Sequence, residues 1–161
     1  MQVKTADLID EFGQQVQVLD PVFTSYGGTD TFYGKTVCVR VFEDNVLVRQ
    51  TLETNGKGCV LVVDGGASVR CALVGDILAQ LAIDNHWSGL IIHGAIRDSK
   101  EISRMSIGVK ALNTSPRKSR KDCVGAIGEP LEFAGVTIHP GDYVYADPDG
   151  ILVAGNELLP T

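Results

Sequence analysis

The sequence lacks the features by which metal ribbons, exported proteins and membrane proteins are recognised. Its four cysteines, Cys38, Cys59, Cys71 and Cys123, stand far apart with no CxxC pair. Neither a zinc ribbon nor a dithiol redox motif is indicated, and we expect all four to be buried small hydrophobes. No apolar run reaches the length of a membrane span, and the first residues lack the basic-then-apolar layout of a signal peptide. We therefore expect a cytoplasmic protein with no membrane partner.

Positive charge is also scarce. The 14 lysines and arginines are outnumbered by 20 aspartates and glutamates, which gives a formal net charge of −6. This balance argues against direct binding of RNA or DNA, because that binding needs clustered cations to replace phosphate counterions. The single dense basic run, 115–121, is most simply a solvated loop, and a phosphate or partner site is the alternative.

Histidine offers little support for a metal site. The three histidines show no HxH or HxxxH spacing. His86 stands beside Trp87, which favours a packing role, whereas His93 precedes Gly94 and is the histidine expected near the candidate site described below.

What is present is enough apolar material for one domain spanning residues 1–161, with 44% hydrophobic residues. Two short continuous apolar runs, 59–64 and 89–93, are typical of strands covered on both faces. Apolar residues between them recur at three- and four-residue spacing and predict an amphipathic helix, hence a βαβ unit. These residues are Leu73, Ile77, Leu78, Leu81 and Ala82.

The alternation continues on both sides and makes the centre of the chain α/β. Beyond about residue 122, short β-prone pieces separated by turns such as Pro140-Gly141 predict antiparallel strands and hairpins. The further central predictions are a strand at 36–41, a helix capped by Asp44 or Asn45 and running to about Thr54, a short helix capped by Ser99 and running through Arg104, and a strand at 107–111.

The pair Arg97-Asp98 follows the second buried strand and is the strongest candidate for chemistry. Arginine offers a planar fork that binds a carboxylate through two charge-assisted hydrogen bonds, each worth roughly 1.5–3 kcal/mol. Aspartate offers hard oxygen to Mg²⁺ or Mn²⁺, which keep several waters and need one or two protein carboxylates. On spacing alone, a surface ion pair of little value is an equal alternative.

Two other segments are candidate parts of the same site. Residues 75–78, Gly75-Asp76-Ile77-Leu78, lie near a predicted helix start, where free N–H groups can hold a carboxylate. The alternative is that Asp76 is a favourable first-turn acid and Gly75 a bend. The loop 64–70 follows a strand and is a candidate pocket wall, with a tight glycine turn as the alternative.

Glu101 lies three residues beyond Asp98. If a helix begins at that point, the two acids share one helical face, and Glu101 could contact water around a metal. The alternative is again a first-turn acid.

Several long motifs in order resemble one known family, the one that contains both the regulators of ribonuclease E activity A and the metal-dependent 4-hydroxy-4-methyl-2-oxoglutarate aldolases. The resemblance covers nearly the whole chain. It rests on residues 26–28 (YGG), 42–45 (FEDN), 55–58 (NGKG), 62–70 (VVDGGASVR), 94–98 (GAIRD) and 141–147 (GDYVYAD).

The resemblance implies a catalytic signature, because the aldolases carry Arg-Asp-x-x-Glu/Asp and residues 97–101 reproduce it. It assigns carboxylate binding to Arg97 together with the backbone of Gly75, Asp76, Ile77 and Leu78. It also assigns the metal, Mg²⁺ or Mn²⁺, to Asp98 and a catalytic role to Glu101. The ribonuclease regulators lose the aspartate at the position of Asp98, and His93 stands where the aldolases tend to have an acid.

The fold implied by the resemblance is a swivelling β/β/α domain like that of phosphohistidine carriers, assembled as a homotrimer. The implied reaction is cleavage of 4-hydroxy-4-methyl-2-oxoglutarate to two pyruvates, with oxaloacetate decarboxylation through the same enolate. The rival expectation is a non-catalytic, protein-binding inhibitor of ribonuclease E. A third is a metabolite-sensing domain that binds a 2-oxo acid without turnover.

Overall fold

The structure, a computed structural model, describes residues 3–158, which form four α-helices, a short 3-10 helix at Gly13–Gln15 and twelve strands. The helices are α1 (Thr5–Phe12), α2 (Val46–Leu52), α3 (Asp76–Asp84) and α4 (Ser99–Ile102). The strands are β1 (Val16–Val18), β2 (Thr24–Ser25), β3 (Phe32–Arg40), β4 (Cys59–Asp64), β5 (Ala72–Val74), β6 (Gly89–Ile96), β7 (Gly108–Thr114), β8 (Ala126–Ile127), β9 (Leu131–Phe133), β10 (Val136–Ile138), β11 (Tyr143–Asp147) and β12 (Gly150–Ala154). Within this part of the chain, no helix is both long enough and apolar enough to cross a membrane.

One large mixed sheet organises these elements. Its central strands β3, β4, β6 and β7 are parallel neighbours in that order. β11, β12 and β1 extend it with antiparallel pairing on one side, and β2 closes the other side antiparallel to β7. The expected α/β class, with parallel βαβ units in the centre and antiparallel strands toward the carboxyl terminus, is confirmed.

The central strands are buried on both faces, as their continuous apolar runs predict. In β4, Val60 and Val62 join the core under the β9–β10 hairpin, whereas Leu61 and Val63 join the core under α2 and α3. All four side chains are fully buried. Since successive side chains of a strand point to opposite faces, the sheet is the middle layer between a hairpin and a layer of helices.

The helix predicted from Leu73 onward begins later than expected. Ala72–Val74 form β5, a three-residue strand paired in parallel with the end of β6, and α3 starts only at Asp76. The helical spacing from Leu73 to Ile77 is therefore a coincidence of sequence. Ile77 does not belong to the apolar face of the helix, because its side chain is 71% exposed.

The predicted helix ends need similar corrections. Around α2 the capping side chain is Asp44, whose Oδ1 accepts a hydrogen bond of 3.1 Å from the Val46 N–H, and the helix stops at Leu52. The cap of α4 is Asp98 rather than Ser99, and this helix ends at Ile102 instead of Arg104.

Two groups of side chains lie elsewhere than expected. All four cysteines are free, but Cys59 is half-buried and Cys123 is exposed, so only Cys38 and Cys71 are the buried hydrophobes predicted. His86 is exposed, and Trp87 does the packing instead.

Candidate functional site

The register between β5 and β6 brings the two main candidate segments together. Val74 is paired with Ile96, the last residues of two parallel strands, and the Arg97 N–H donates a 2.9 Å hydrogen bond to the Val74 carbonyl. Gly75 therefore lies directly beside Arg97 at the carboxyl edge of the sheet, which is where open α/β sheets place their ligands.

The basic run forms the next wall of this edge. β7 ends beside β6, and the Ser115 N–H bonds to the Ile96 carbonyl at 2.9 Å. The chain then turns back along β5, where the Ala72 N–H donates to the Arg117 carbonyl at 2.7 Å and the buried Ser119 hydroxyl donates to the Ala72 carbonyl at 2.6 Å. The segment 115–121 is thus a loop whose backbone is fixed to the sheet edge and whose cations Arg117, Lys118, Arg120 and Lys121 are exposed. The loop expected from the sequence therefore also forms a wall of the site.

These segments and α2 enclose a cavity of about 420 Å³. It is lined by Asn45, Val46, Arg49, Gln50, Glu53, Ala72, Gly75, Asp76, Ile77, Leu78, Arg97, Asp98, Lys118, Ser119 and Lys121. The five residues predicted to bind substrate, residues 75–78 and Arg97, all line this cavity. The predicted metal ligand, Asp98, lines it too. The roles of these residues remain predictions, but their proximity is a feature of the fold.

Asp98 occupies an unusual backbone conformation. Its φ of +57° lies in the left-handed region, which aspartate tolerates better than most residues. This conformation turns the chain sharply from β6 into α4. The side chain consequently reaches across to α3, where its Oδ2 accepts a 3.0 Å hydrogen bond from the Asp76 N–H.

Two carboxylates thereby share one end of the cavity. Partial burial raises the pKa of Asp76, and hydrogen bonding and negative charge from Asp98 raise it further, with a smaller contribution from Glu101. Crowding of like charges is unfavourable unless a cation or a proton offsets it. The arrangement therefore favours a cation at this end of the cavity.

Four cations also line the cavity, Arg49, Arg97, Lys118 and Lys121, and Arg49 is paired with Glu53 at 3.7 Å. Arg97 forms no ion pair with any residue that the structure describes, so its guanidinium is open to a ligand. Lys121 donates a hydrogen bond to Asn45 Oδ1. Burial lowers the pKa of Lys121, and the positive charge of Arg97 lowers it further, as expected for two cations near one another. The unpaired guanidinium of Arg97 and the closeness of Arg97 to Lys121 both favour an anionic ligand.

Two sequence-based expectations about the site's periphery are corrected, and the role of Glu101 stays a prediction. Glu101 is exposed on α4 and does not line the cavity. The loop 64–70 does not line it either, because the N–H groups of Gly65 and Ala67 bond to the His93 carbonyl and hold the loop over β6. His93 itself points toward the hairpin layer and stacks on Phe133 with ring centroids 4.6 Å apart.

Asn45 and Arg49 are lining residues that the sequence reasoning missed, and Lys118 and Lys121 were seen only as part of the basic run. A signal was available for Asn45, since the motif at 42–45 carries part of the family resemblance. Arg49 gives no such signal, because a charged residue on an amphipathic helix is ordinarily solvated.

The donor set is compatible with a divalent cation of the Mg²⁺ or Mn²⁺ type. Within residues 3–158 there is no cluster of three or more His, Cys, Asp or Glu side chains able to hold a metal. The two carboxylates of Asp76 and Asp98 nevertheless meet the requirement of ions that bind one or two carboxylates and retain several waters. Soft metals, which need thiolate or imidazole ligands, do not suit this end of the cavity.

Comparisons with known proteins agree on the family. The family model "RraA-like: Aldolase/RraA" matches residues 5–153. A Dechloromonas aromatica protein named "Putative 4-hydroxy-4-methyl-2-oxoglutarate aldolase" is 52% identical over 162 residues, covering 98% of this chain and 99% of its own length. A Pseudomonas fluorescens protein of the same name is 48% identical over 154 residues, covering 96% of this chain and 94% of its own.

Solved structures share the fold but carry different functional names. The RNA-processing inhibitor RraA from Thermus thermophilis superposes with a TM-score of 0.95 at 43% identity, covering 100% of this chain and 96% of its own. A Geobacillus kaustophilus chain described as S-adenosylmethionine:2-dimethylmenaquinone methyltransferase also gives 0.95, at 55% identity with 97% of each chain covered. One fold thus carries several functional names, so function must be argued from the site. The chain belongs to the RraA-like family, which joins aldolases and RraA proteins.

Proposed function

We propose that the chain is a divalent-metal-dependent aldolase that cleaves 4-hydroxy-4-methyl-2-oxoglutarate to two pyruvates, with oxaloacetate decarboxylation as a side activity. The observation that carries the proposal is the meeting of Arg97, the first turn of α3 and the carboxylates of Asp76 and Asp98 in one cavity. The names of the relatives support the aldolase class. The homotrimer and the cytoplasmic location remain predictions.

Substrate binding follows from the charges of the cavity. The 2-oxo acid carboxylate would lie on the Arg97 guanidinium and beside the first turn of α3, where the helix dipole also favours an anion. Gly75 keeps this approach open because it has no side chain. A dicarboxylate would place its second carboxylate near Lys121 and Arg49, which line the same cavity.

The cleavage itself breaks the bond between the methylene carbon and the hydroxyl-bearing carbon. The electron pair stays on the methylene carbon as the pyruvate enolate, while the hydroxyl proton passes to a base and the hydroxyl-bearing carbon becomes the carbonyl of the departing pyruvate. The enolate then takes up a proton at its methylene carbon and becomes the second pyruvate. Arg97 stabilises the negative charge that develops. Asp98, with Asp76 beside it, would hold Mg²⁺ or Mn²⁺, which when bound supplies Lewis acidity to the 2-oxo group.

Decarboxylation of oxaloacetate passes through the same enolate, with carbon dioxide as the leaving group in place of pyruvate. A proton must then return to the methylene carbon. Glu101 remains the candidate for this proton transfer, with an exposed side chain that does not line the cavity itself.

The test is pyruvate release from oxaloacetate by the full chain, with Mg²⁺, with Mn²⁺, and after treatment with EDTA. The proposal predicts turnover with metal and a return to the background rate after chelation. Turnover that is indifferent to metal would contradict it. Saturable binding of the 2-oxo acid without turnover would instead support a metabolite-sensing domain.

A second candidate function is non-catalytic inhibition of ribonuclease E. It is favoured by the 43% identity to the RNA-processing inhibitor RraA and by the net charge of −6, which suits a basic protein partner. Retention of ribonuclease E on the immobilised chain, together with slower RNA cleavage, would support it. The two functions are tested by different measurements, and one chain could carry both.

A further inference from the structure

A second cavity of about 490 Å³ lies on the other side of the basic segment 115–121. It is lined by Glu43, Arg70, Cys71, Arg117, Lys118 and Arg120. Lys118 also lines the first cavity, and none of the other five residues does. The second cavity is therefore a neighbour of the candidate active site, and the proposed aldolase chemistry does not use it.

Hydrogen bonds hold the backbone around this cavity and so fix the positions of the residues that carry its cationic side chains. The Arg120 N–H donates to the Glu43 carbonyl at 2.9 Å. The Arg117 carbonyl accepts the Ala72 N–H at 2.7 Å, and the Ser115 hydroxyl bonds to the Arg70 carbonyl at 3.3 Å. These bonds tie the basic segment to the loops before α2 and β5, so the cations are gathered by the fold.

The charges in this cavity are not balanced by the chain itself. Four of the lining residues are cationic and one is anionic, which leaves an excess of three positive charges. Glu43 is already engaged, since its Oε2 accepts hydrogen bonds from Arg70 Nε at 2.7 Å and from Ser68 Oγ at 2.6 Å. Arg117 and Lys118 form no ion pair with the described residues.

Such a concentration of positive charge is conspicuous in a chain of net charge −6. Like charges held together repel one another, and the repulsion is relieved when a compact anion binds between them. Guanidinium groups suit phosphate oxygens because they donate parallel pairs of hydrogen bonds, and a lysine adds a point charge.

We propose that this second cavity binds a compact polyvalent phosphate, either a pyrophosphate or the phosphate groups of a small metabolite. The three free charges match a ligand with several negative charges better than a single carboxylate. The proposal goes beyond the aldolase function and does not depend on it.

The experiment is calorimetric titration of the full chain with pyrophosphate at fixed ionic strength, without metal and without substrate. We expect saturable binding that weakens at least tenfold in the double variant Arg117→Ala/Arg120→Ala. Arg104→Ala is the matched control, because Arg104 is exposed, lies outside both cavities and has no ion-pair partner among residues 3–158. Its affinity should stay within about twofold of the original chain.

A second variant separates the two cavities. Arg97→Ala removes a cation from the first cavity alone, and pyrophosphate binding should survive it. Loss of binding in Arg97→Ala with retention in Arg117→Ala/Arg120→Ala would place the anion in the first cavity and overturn the proposal. Absence of saturable binding in the original chain would also overturn it, as would equal affinity for citrate, which carries carboxylates in place of phosphates.

Discussion

The Asp76 N–H donates a hydrogen bond of 3.0 Å to Oδ2 of Asp98 and joins the start of α3 to the turn after β6. This contact exists because β5 and β6 end in register, with Val74 opposite Ile96. It fixes the direction of the carboxylate that we propose as the metal ligand.

Gly75→Ala should disturb the site with little effect on the fold. A Cβ at this position would come within 2.7 Å of Asp98 Oδ2 and 3.3 Å of Arg97 Cγ. Its backbone is extended, with φ −120° and ψ −165°, so alanine is tolerated conformationally. We expect kcat/KM for pyruvate release to fall about tenfold to a hundredfold through misplacement of both side chains.

The control for this change is Gly13→Ala, where a Cβ would meet no atom within 4 Å. Thermal unfolding of both variants should stay near that of the original chain. If Gly75→Ala retained full kcat/KM, the close packing of Gly75 against the pair would have no functional meaning.

Arg97→Lys should raise KM for 2-oxo acids by roughly ten- to a hundredfold, because an ammonium cannot reproduce the paired hydrogen bonds of the guanidinium. Steady-state kinetics with oxaloacetate measure this effect. Arg104→Lys, at an exposed position outside the cavity, is the matched control. Near-normal kinetics of Arg97→Lys would make Arg97 a structural residue.

Lys121→Gln tests whether the basic segment belongs to the substrate cavity. The change removes one of the cations facing the ligand and keeps a group that can still donate to Asn45. We expect KM for oxaloacetate, a dicarboxylate, to rise about tenfold with a smaller change for a monocarboxylate inhibitor such as pyruvate. Lys100→Gln, at an exposed position, is the control. If Lys121→Gln weakened oxaloacetate and pyruvate equally, Lys121 would not bind a second carboxylate.

Asp147→Asn should lower stability at neutral pH. The buried Asp147 carboxylate accepts hydrogen bonds from the Thr5 N–H at 2.8 Å and the Thr5 hydroxyl at 2.7 Å, which tie α1 to the end of β11. Burial alone would raise its pKa, but these bonds and those from Asp149 and Gly150 outweigh burial and lower it. The loss should be about 1–3 kcal/mol in urea unfolding at pH 7.

The pH dependence of this contribution has a defined sign. A carboxyl whose folded pKa is lowered adds stability that is fully present above its ordinary value of 3.8 and is lost as pH falls through the folded pKa. The difference between the original chain and Asp147→Asn should therefore shrink below about pH 4. Asp149→Asn, whose side chain is exposed, should show no such difference at either pH.

The buried strands were predictable because their sequence signal is local. The run 59–64 forms β4 with the predicted bounds, since a strand covered on both faces must be continuously apolar. β5 was missed for the opposite reason. Three residues are too few to establish a period of two, and the spacing of Leu73 from Ile77 imitated a helix.

The candidate site was predictable in its members but not in its shape. The position of Arg97-Asp98 after a buried strand and the family motif both pointed to this pair. Residues 115–121 join it only through the pairing of β7 with β6 and the bonds to Ala72, which are long-range contacts that no local pattern encodes. The left-handed conformation of Asp98 has no sequence signal of its own, since aspartate adopts it only occasionally.

The most direct test of the account is metal-dependent pyruvate release from 4-hydroxy-4-methyl-2-oxoglutarate by the original chain and by Asp98→Asn. Asparagine is preferred to alanine because it tolerates the φ of +57° and can still accept the Asp76 N–H, so only the negative charge is lost. We predict turnover with Mg²⁺ or Mn²⁺ in the original chain and loss of metal-dependent turnover in Asp98→Asn, with an unchanged unfolding temperature. Undiminished metal-dependent turnover in Asp98→Asn would contradict the central claim.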